Sequence, residues 1–214
     1  GIFSLSRICK PCYRLMRKRG EIVITIFWLI FAYLCGSIPC GLLLTRKAGH
    51  GDIRKMGSGN IGATNVLRTG DKRLAIVTLL LDILKGVAPT VLAIFYAPEI
   101  AHWVAVLAVL GHNFPLWLKL KGGKGVATTF GVLVALNPLL GLLLAFTWGI
   151  TFTFSKISSL SSLVAAGCAP FFGFLMIDDA SFWAVLFLST LLIVRHHGNI
   201  KRLIAGHEAP MNLK

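Results

Sequence analysis

The sequence predicts an all-α integral membrane protein, a bundle of seven transmembrane helices with glycine-rich loops on its cytoplasmic face. Three observations lead there. Of 214 residues, 56% are hydrophobic and 14% charged, against roughly 45–50% and about 25% in a soluble domain. The apolar residues fall in runs of membrane-spanning length, and mean hydropathy is +0.77. The 22 Lys and Arg, set against 8 Asp and Glu for a net charge of +14, gather between alternate runs. Such hydrophobicity excludes a disordered chain. Basic charge interleaved with long apolar runs marks a membrane face and not a nucleic-acid partner.

A helix crosses the hydrocarbon with about 20 apolar residues. Residues 22–44, 74–97 and 100–118 qualify, the second despite Asp82 and Lys85. Residues 126–154 are apolar but for Asn137-Pro138. Proline removes a helix donor and disfavours helix at the residue before it, so this run divides into a short helix over 126–136 and a fuller one over 138–154. Residues 159–176 and 182–194 complete seven. The connections 45–73, 119–124, 155–157 and 195–214 hold 7, 3, 1 and 4 Lys or Arg, while those near 98–100, 137 and 177–180 hold none. The positive-inside rule then places the carboxyl terminus in the cytoplasm.

One segment disagrees with that alternation. Seven spans put the amino terminus outside, yet residues 1–20 carry six Lys or Arg and no acid. They are expected to form a basic tail lying on anionic headgroups, apart from a single membrane domain over 21–214, and no signal-type cleavage site follows them. The five cysteines, Cys9, Cys12, Cys35, Cys40 and Cys168, are odd in number and mostly within apolar segments, so no disulfide framework is expected. Cys9 and Cys12 lack the second ligand pair of a structural zinc site.

The polar residues cluster in three places, all on the basic side. Gly57-Ser58-Gly59-Asn60-Ile61-Gly62-Ala63-Thr64-Asn65-Val66-Leu67-Arg68 mixes glycines with amide and hydroxyl side chains. Successive backbone amides in such a loop form a nest for anions, and Arg68 offers a bidentate fork for phosphate. Gly111-His112-Asn113-Phe114-Pro115 leads to Lys121-Gly122-Gly123-Lys124-Gly125 at the start of an apolar helix, where unpaired N–H groups favour an anion. A nucleotide P-loop needs Ser or Thr after the lysine, and Gly125 stands there. Third, Arg195-His196-His197-Gly198-Asn199 closes the last span, with His196 and Asn199 one turn apart on one face. Asp82 and Lys85, three apart on one helix, are expected to neutralise each other inside the bundle.

Two familiar chemistries are missing. No Asp lies five residues after any His, so the His–Asp acyltransferase dyad is absent, and no D-x-x-D motif offers carboxylates to magnesium. No metal or cofactor is called for. The clusters suit a phosphorylated, membrane-adjacent substrate. A small membrane transporter for phosphate or a phosphorylated metabolite is the competing expectation, though no internal repeat is visible.

G-S-G-N-x-G-A-T-N-x-x-R at 57–68, G-H-N-x-P…K-G-G-K-G-V-A-T at 111–128 and R-H-x-x-N-I-x-R-L-x-x-G-x-E at 195–208 resemble the signature motifs of the bacterial acyl-phosphate:glycerol-3-phosphate acyltransferases, the PlsY family. L-D-x-L-K-G at 81–86 resembles a further segment, and the likeness runs in order from about residue 25 to Glu208. The resemblance implies a monomeric, multi-pass enzyme of the bacterial inner membrane with its site on the cytoplasmic side. Its substrates would be acyl phosphate and glycerol 3-phosphate, and its products lysophosphatidic acid and inorganic phosphate, with membrane lipid as its surroundings. It implies Ser58, His196 and Asn199 in catalysis and Arg68, Asn60, Lys124 with Gly122, Gly123 and Gly125, and Ser159 at the phosphates. Asn65, Glu208, Asp82 and Lys85 are implied to be structural beside the site. The proton acceptor is either His196 or a phosphate oxygen of the substrate.

Overall fold

Helix boundaries follow from short polar residues set between apolar runs. In the computed structural model, which describes residues 10–211, the helices are α1 (Lys10–Gly36), α2 (Cys40–Lys47), α3 (Ala63–Val66), α4 (Lys72–Tyr96), α5 (Ala101–Asn113), α6 (Val126–Leu136), α7 (Pro138–Ser155), α8 (Ser158–Met176), α9 (Asp179–Arg195) and α10 (His197–Ile204). No strand occurs among the described residues. Asp71, Asn137 and Asp178 cap α4, α7 and α9 by accepting the N–H of Leu74, Leu140 and Ser181 at 2.9, 3.0 and 3.0 Å, satisfying donors a helix start leaves orphaned. Asn137 also donates to the Met176 carbonyl at 3.0 Å, tying the α6–α7 break to the end of α8.

Most expected spans agree with these helices to within three residues at each end, and the split at Asn137-Pro138 is present. Three differ. The run over 22–44 is broken at Ser37–Pro39, with Pro39 in the N-cap position of α2, where a proline's missing donor costs least. The span over 100–118 stops as an α-helix at Asn113, because Pro115 cannot continue it, and a 3₁₀ turn at Leu116–Leu118 follows. At the amino terminus helix begins at Lys10, so the expected basic tail over 1–20 is partly the start of α1. Cys9 lies outside the described residues.

Five helical stretches are long and apolar enough to cross a membrane, and six if α9 and α10, bent by 57° to each other, count as one. Helix α6, with 11 residues, reaches only about 16 Å and is the shortest of the seven expected spans.

Helix α5 occupies the centre. Its Val104, Ala105, Ala108 and Val109 are all at most 1% exposed and pack with Val132 of α6, Leu140 of α7 and Val185 and Leu188 of α9. Small residues set the crossings. A Cβ on Gly36 would strike the Ala108 carbonyl between α1 and α5, and one on Gly86 or Gly131 would strike Thr128 or Ile83 between α4 and α6. Close backbone approach of this kind is how membrane helices associate without a hydrophobic driving force between them. Large apolar side chains such as Phe95, Phe154 and Phe174 face outward. This packing leaves a cavity at the end of the bundle where α4, α6 and α8 begin and α7 and α9 finish.

Candidate active site

The cavity measures about 1010 Å³, and two glycine loops form its mouth. The first, 57–68, is organised by one side chain. Asn65, 2% exposed, accepts the Ser58 N–H at 3.0 Å. Its Nδ2 donates to the carbonyls of Ile53, Met56 and Asn60 at 3.1, 3.1 and 2.8 Å. The loop turns through Gly57 and Gly59 at φ +52° and +70°, a region L-residues avoid. Gly57 also has no room for a Cβ, which would come within 2.7 Å of Arg68 Cδ. Beneath lies a satellite core of Leu42, Ile53, Ile61 and Val66. The result is that Ser58, Asn60 and Arg68 line the cavity, with Ser58 and Arg68 exposed.

The second loop, 119–125, is held from two sides. Gly122 and Gly123 donate their N–H groups to the carbonyls of Asn113 and His112, both at 3.1 Å. Their own carbonyls accept from Arg195, whose Nη2 lies 3.1 Å from Gly122 O and 2.8 Å from Gly123 O, with Nε at 3.2 Å from Gly123 O. The guanidinium sits 5.2 Å from the centre of the Phe114 ring, a favourable cation–π distance. This corrects the expectation for Gly122 and Gly123. Their amides are already engaged by the chain, and of Gly122–Gly125 only Lys124 and Gly125 line the cavity.

Three cations, Arg68, Lys124 and Arg202, and two helix starts line the cavity. Lys124 has its pKa lowered to about 8, first by burial and then by Arg202, Arg68 and Arg195, against an opposing pull from Glu208. Gly125–Val126 and Ser158–Ser159, which begin α6 and α8, both line the cavity. Unpaired first-turn amides and the positive ends of two helix dipoles therefore converge on it. The α8 end was expected only through Ser159, as a side chain at the phosphates and not as a helix start.

Opposite the loops, Glu208 gathers three elements. Its Oε1 accepts from Ser159 Oγ at 2.7 Å and from Asn199 Nδ2 at 2.5 Å, and its Oε2 from Arg202 Nε at 2.5 Å. Burial pushes the carboxyl up, but those three donors outweigh it and hold the pKa below the usual glutamate range. The Met211 N–H donates to the Lys156 carbonyl at 2.8 Å, so the segment after α10 straps back over the start of α8. With its hydroxyl proton directed to Glu208, Ser159 presents lone pairs to the cavity and no donor for a phosphate.

His196, 2% exposed, stands at the α9–α10 bend and lines the cavity with Asn199. Its Nδ1 lies 2.8 Å from the Leu192 carbonyl. A carbonyl only accepts, so Nδ1 carries the proton, which leaves Nε2 as an acceptor in the neutral ring. The Asn199 carbonyl oxygen is likewise free of the bond its amide makes to Glu208.

Deeper in, Asp82 and Lys85 form a buried ion pair at 2.7 Å, and Lys85 Nζ also donates to Ile38 O at 2.8 Å. Asp82 lines the cavity and Lys85 does not. His112 and Thr129 also line it, and neither belongs to the expected set. Beyond them the wall turns apolar, through Phe130, Leu133, Leu144, Trp148 and Ala166 of α6, α7 and α8. One cavity thus joins a cationic mouth to an apolar arm.

The family model for glycerol-3-phosphate acyltransferase matches residues 26–206. A glycerol-3-phosphate acyltransferase of Mesorhizobium japonicum is 52% identical over 192 residues, 88% of this chain and 97% of that protein. One from Sinorhizobium medicae is 50% identical, with 89% and 94% covered. The crystal structure of PlsY, an integral membrane glycerol 3-phosphate acyltransferase, in its glycerol 3-phosphate form superposes with a TM-score of 0.84 at 35% identity, covering 88% of this chain and 96% of that one. Its lysophosphatidic acid form gives 0.81 at 35% identity. The chain belongs to the glycerol-3-phosphate acyltransferase family.

Proposed function

We propose that this enzyme moves an acyl group from acyl phosphate to the 1-hydroxyl of glycerol 3-phosphate, releasing lysophosphatidic acid and inorganic phosphate. The observation that carries the choice of donor is the single cavity with a cationic mouth and an apolar arm. It suits a molecule that is phosphate at one end and hydrocarbon at the other, beside a second, smaller phosphate. Membership of an acyltransferase family leaves the transporter alternative without support.

The chemistry asks little beyond positioning. Acyl phosphate is already activated, so the chain has to hold two anions, stabilise the developing oxyanion and accommodate one proton. Arg68, Lys124 and the first-turn amides of α6 and α8 hold the phosphates. Gly122 and Gly123 shape the loop that presents Lys124. Ser58 donates to the carbonyl oxygen that becomes the oxyanion. His196 Nε2 and the Asn199 carbonyl accept from the attacking hydroxyl and aim it. The new ester C–O bond forms as the bond from the acyl carbon to the phosphate oxygen breaks. The hydroxyl proton ends on the departing phosphate, because the Nδ1–H of His196 rests on a neutral carbonyl and not on a carboxylate that would stabilise an imidazolium.

The basic connections support a mouth on the cytoplasmic face of a bacterial inner membrane, and our reading takes α6 as a short seventh crossing and the protein as a monomer. The test supplies membranes carrying the enzyme with labelled glycerol 3-phosphate and acyl phosphate, acyl-CoA or acyl carrier protein, in excess EDTA. Lysophosphatidic acid formed from acyl phosphate alone is the expected result. Product from a thioester donor alone would sink the donor assignment.

A further inference from the structure

Among the described residues, two buried side-chain atoms without a hydrogen-bond partner, His112 Nδ1 and Thr129 Oγ1, belong to residues that line the cavity together with Asp82, whose Oδ1 is paired with Lys85 Nζ at 2.7 Å. All three side chains are more than nine-tenths buried. Helix packing brings them together. Thr128 Oγ1 donates to the Asp82 carbonyl at 2.9 Å where α4 crosses α6, and Thr129 is the next residue along α6. His112 arrives from α5 with Nδ1 3.8 Å from Asp82 Oδ1. Thr129 is also unlike other helical hydroxyls in this chain. Thr78, Thr90, Thr147 and Ser162 each donate to the carbonyl four residues back, all at 2.8 Å. Gly125 O, four residues before Thr129, takes only the Thr129 backbone N–H. The hydroxyl is left for something in the cavity.

The reactants differ in what they bring to such a floor. A hydrocarbon tail would leave His112 Nδ1 and Thr129 Oγ1 unpaired, at about 1–3 kcal/mol each. A phosphate offers only acceptors, and so does the Asp82 carboxylate. A neutral alcohol matches, because one hydroxyl both donates to a carboxylate oxygen and accepts from a threonine. Glycerol 3-phosphate has two hydroxyls, of which the reaction uses one.

We propose that Asp82, His112 and Thr129 form a polyol subsite that binds the non-reacting 2-hydroxyl of glycerol 3-phosphate, with Thr129 setting the preference for an acceptor that carries it. This rests on the acceptor assigned above. Position follows from order along the cavity: the phosphate is held at the mouth, the 1-hydroxyl meets His196 and Asn199, and the middle carbon's hydroxyl turns to the floor. A hydrogen-bonding site rejects an analogue lacking the hydroxyl it was built for, since its own groups are then left unpaired.

The experiment compares kcat/KM for glycerol 3-phosphate with that for propane-1,3-diol monophosphate, which keeps the nucleophile and phosphate and lacks the 2-hydroxyl. Both are measured with palmitoyl phosphate as donor, in the wild type, Thr129→Val and Thr129→Ser. The wild type should favour glycerol 3-phosphate. Thr129→Val, nearly isosteric, should shrink that preference by about tenfold, and Thr129→Ser should preserve it. A preference unchanged in Thr129→Val, or a wild type that does not distinguish the acceptors, overturns the subsite. Because the readout is a ratio within one enzyme, a general loss of folded protein does not mimic the result. A wild type that acylates neither acceptor overturns the acceptor assignment itself, and that outcome is separable from the others.

Discussion

The two glycine loops at the mouth do similar work and are built in opposite ways. Loop 57–68 is held from within: one buried amide, Asn65, bonds four backbone groups between Ile53 and Asn60. Loop 119–125 is held on one side by the carbonyls of His112 and Asn113, about ten residues back, and on the other from without, by Arg195, some 72 residues along the chain. The hydrogen bonds that shape the first loop come from within it and the residues just before it, although it rests on Leu42 of α2 and Ala75 of α4. The second exists only once α5 and α9 have packed, so its shape reports on the assembled protein. Lys124 and its position therefore depend on tertiary structure, whereas Ser58 and Arg68 depend mainly on a dozen neighbouring residues.

That contrast is broken most severely at Asn65. Asn65→Leu removes four hydrogen bonds worth roughly 1 kcal/mol each and leaves buried carbonyls unpaired. Activity should fall by about a thousandfold, with a lowered unfolding temperature in detergent. Asn65→Asp should be no better. It keeps an acceptor for the Ser58 N–H but faces three carbonyl oxygens with another oxygen. Near-normal kinetics in Asn65→Asp would show that the loop is shaped by something other than this amide.

Arg195→Lys attacks the other loop with less force. Lysine keeps the charge but loses the planar fork that spans two carbonyls and the stacking on Phe114. The expected loss in kcat/KM is about 10–100-fold, carried mainly by KM for the phosphorylated substrates, with a smaller thermal shift than Asn65→Leu. If the thermal shifts proved equal, the distinction between a locally and a globally held loop would fail.

The same contrast explains what could be read from the residues in order. The α6–α7 break was legible because Asn137-Pro138 is a local signal. That the first loop is a structured turn lining the cavity was legible for the same reason, since its glycines and its organising amide lie within 12 positions. Gly122 and Gly123 were misplaced because whether an amide is free depends on how the chain turns after α5, and residue types alone do not show that these two amides fold back on the His112 and Asn113 carbonyls. Arg195 stood in a recognised motif, but its targets belong to another helix connection. Thr129 left no trace at all: a threonine in an apolar helix ordinarily bonds its own backbone, and only the assembled structure shows that this one does not. The break at Pro39 was overlooked because hydropathy continues smoothly across it.

The mildest effect concerns charge and not shape, and it tests whether the externally held loop presents Lys124 as a phosphate ligand. With the free-enzyme pKa lowered to about 8, the ammonium is mostly protonated at pH 7 and mostly neutral at pH 9. Burial and three neighbouring cations disfavour the charged form, and a bound phosphate would favour it. KM for a phosphorylated substrate should therefore rise with pH across this range, approaching about tenfold by pH 9, one unit above the pKa, while kcat at saturation changes little. Lys124→Arg stays charged throughout and should flatten the profile, even if its longer fork raises KM at every pH. Arg195→Lys supplies the link to the loop. If Arg195 positions Lys124 and does not bind phosphate itself, that variant keeps the rise near pH 8 at a higher baseline. A profile that moves with Arg195 and ignores Lys124 would reverse the two roles and make the loop's outer clamp its anion ligand.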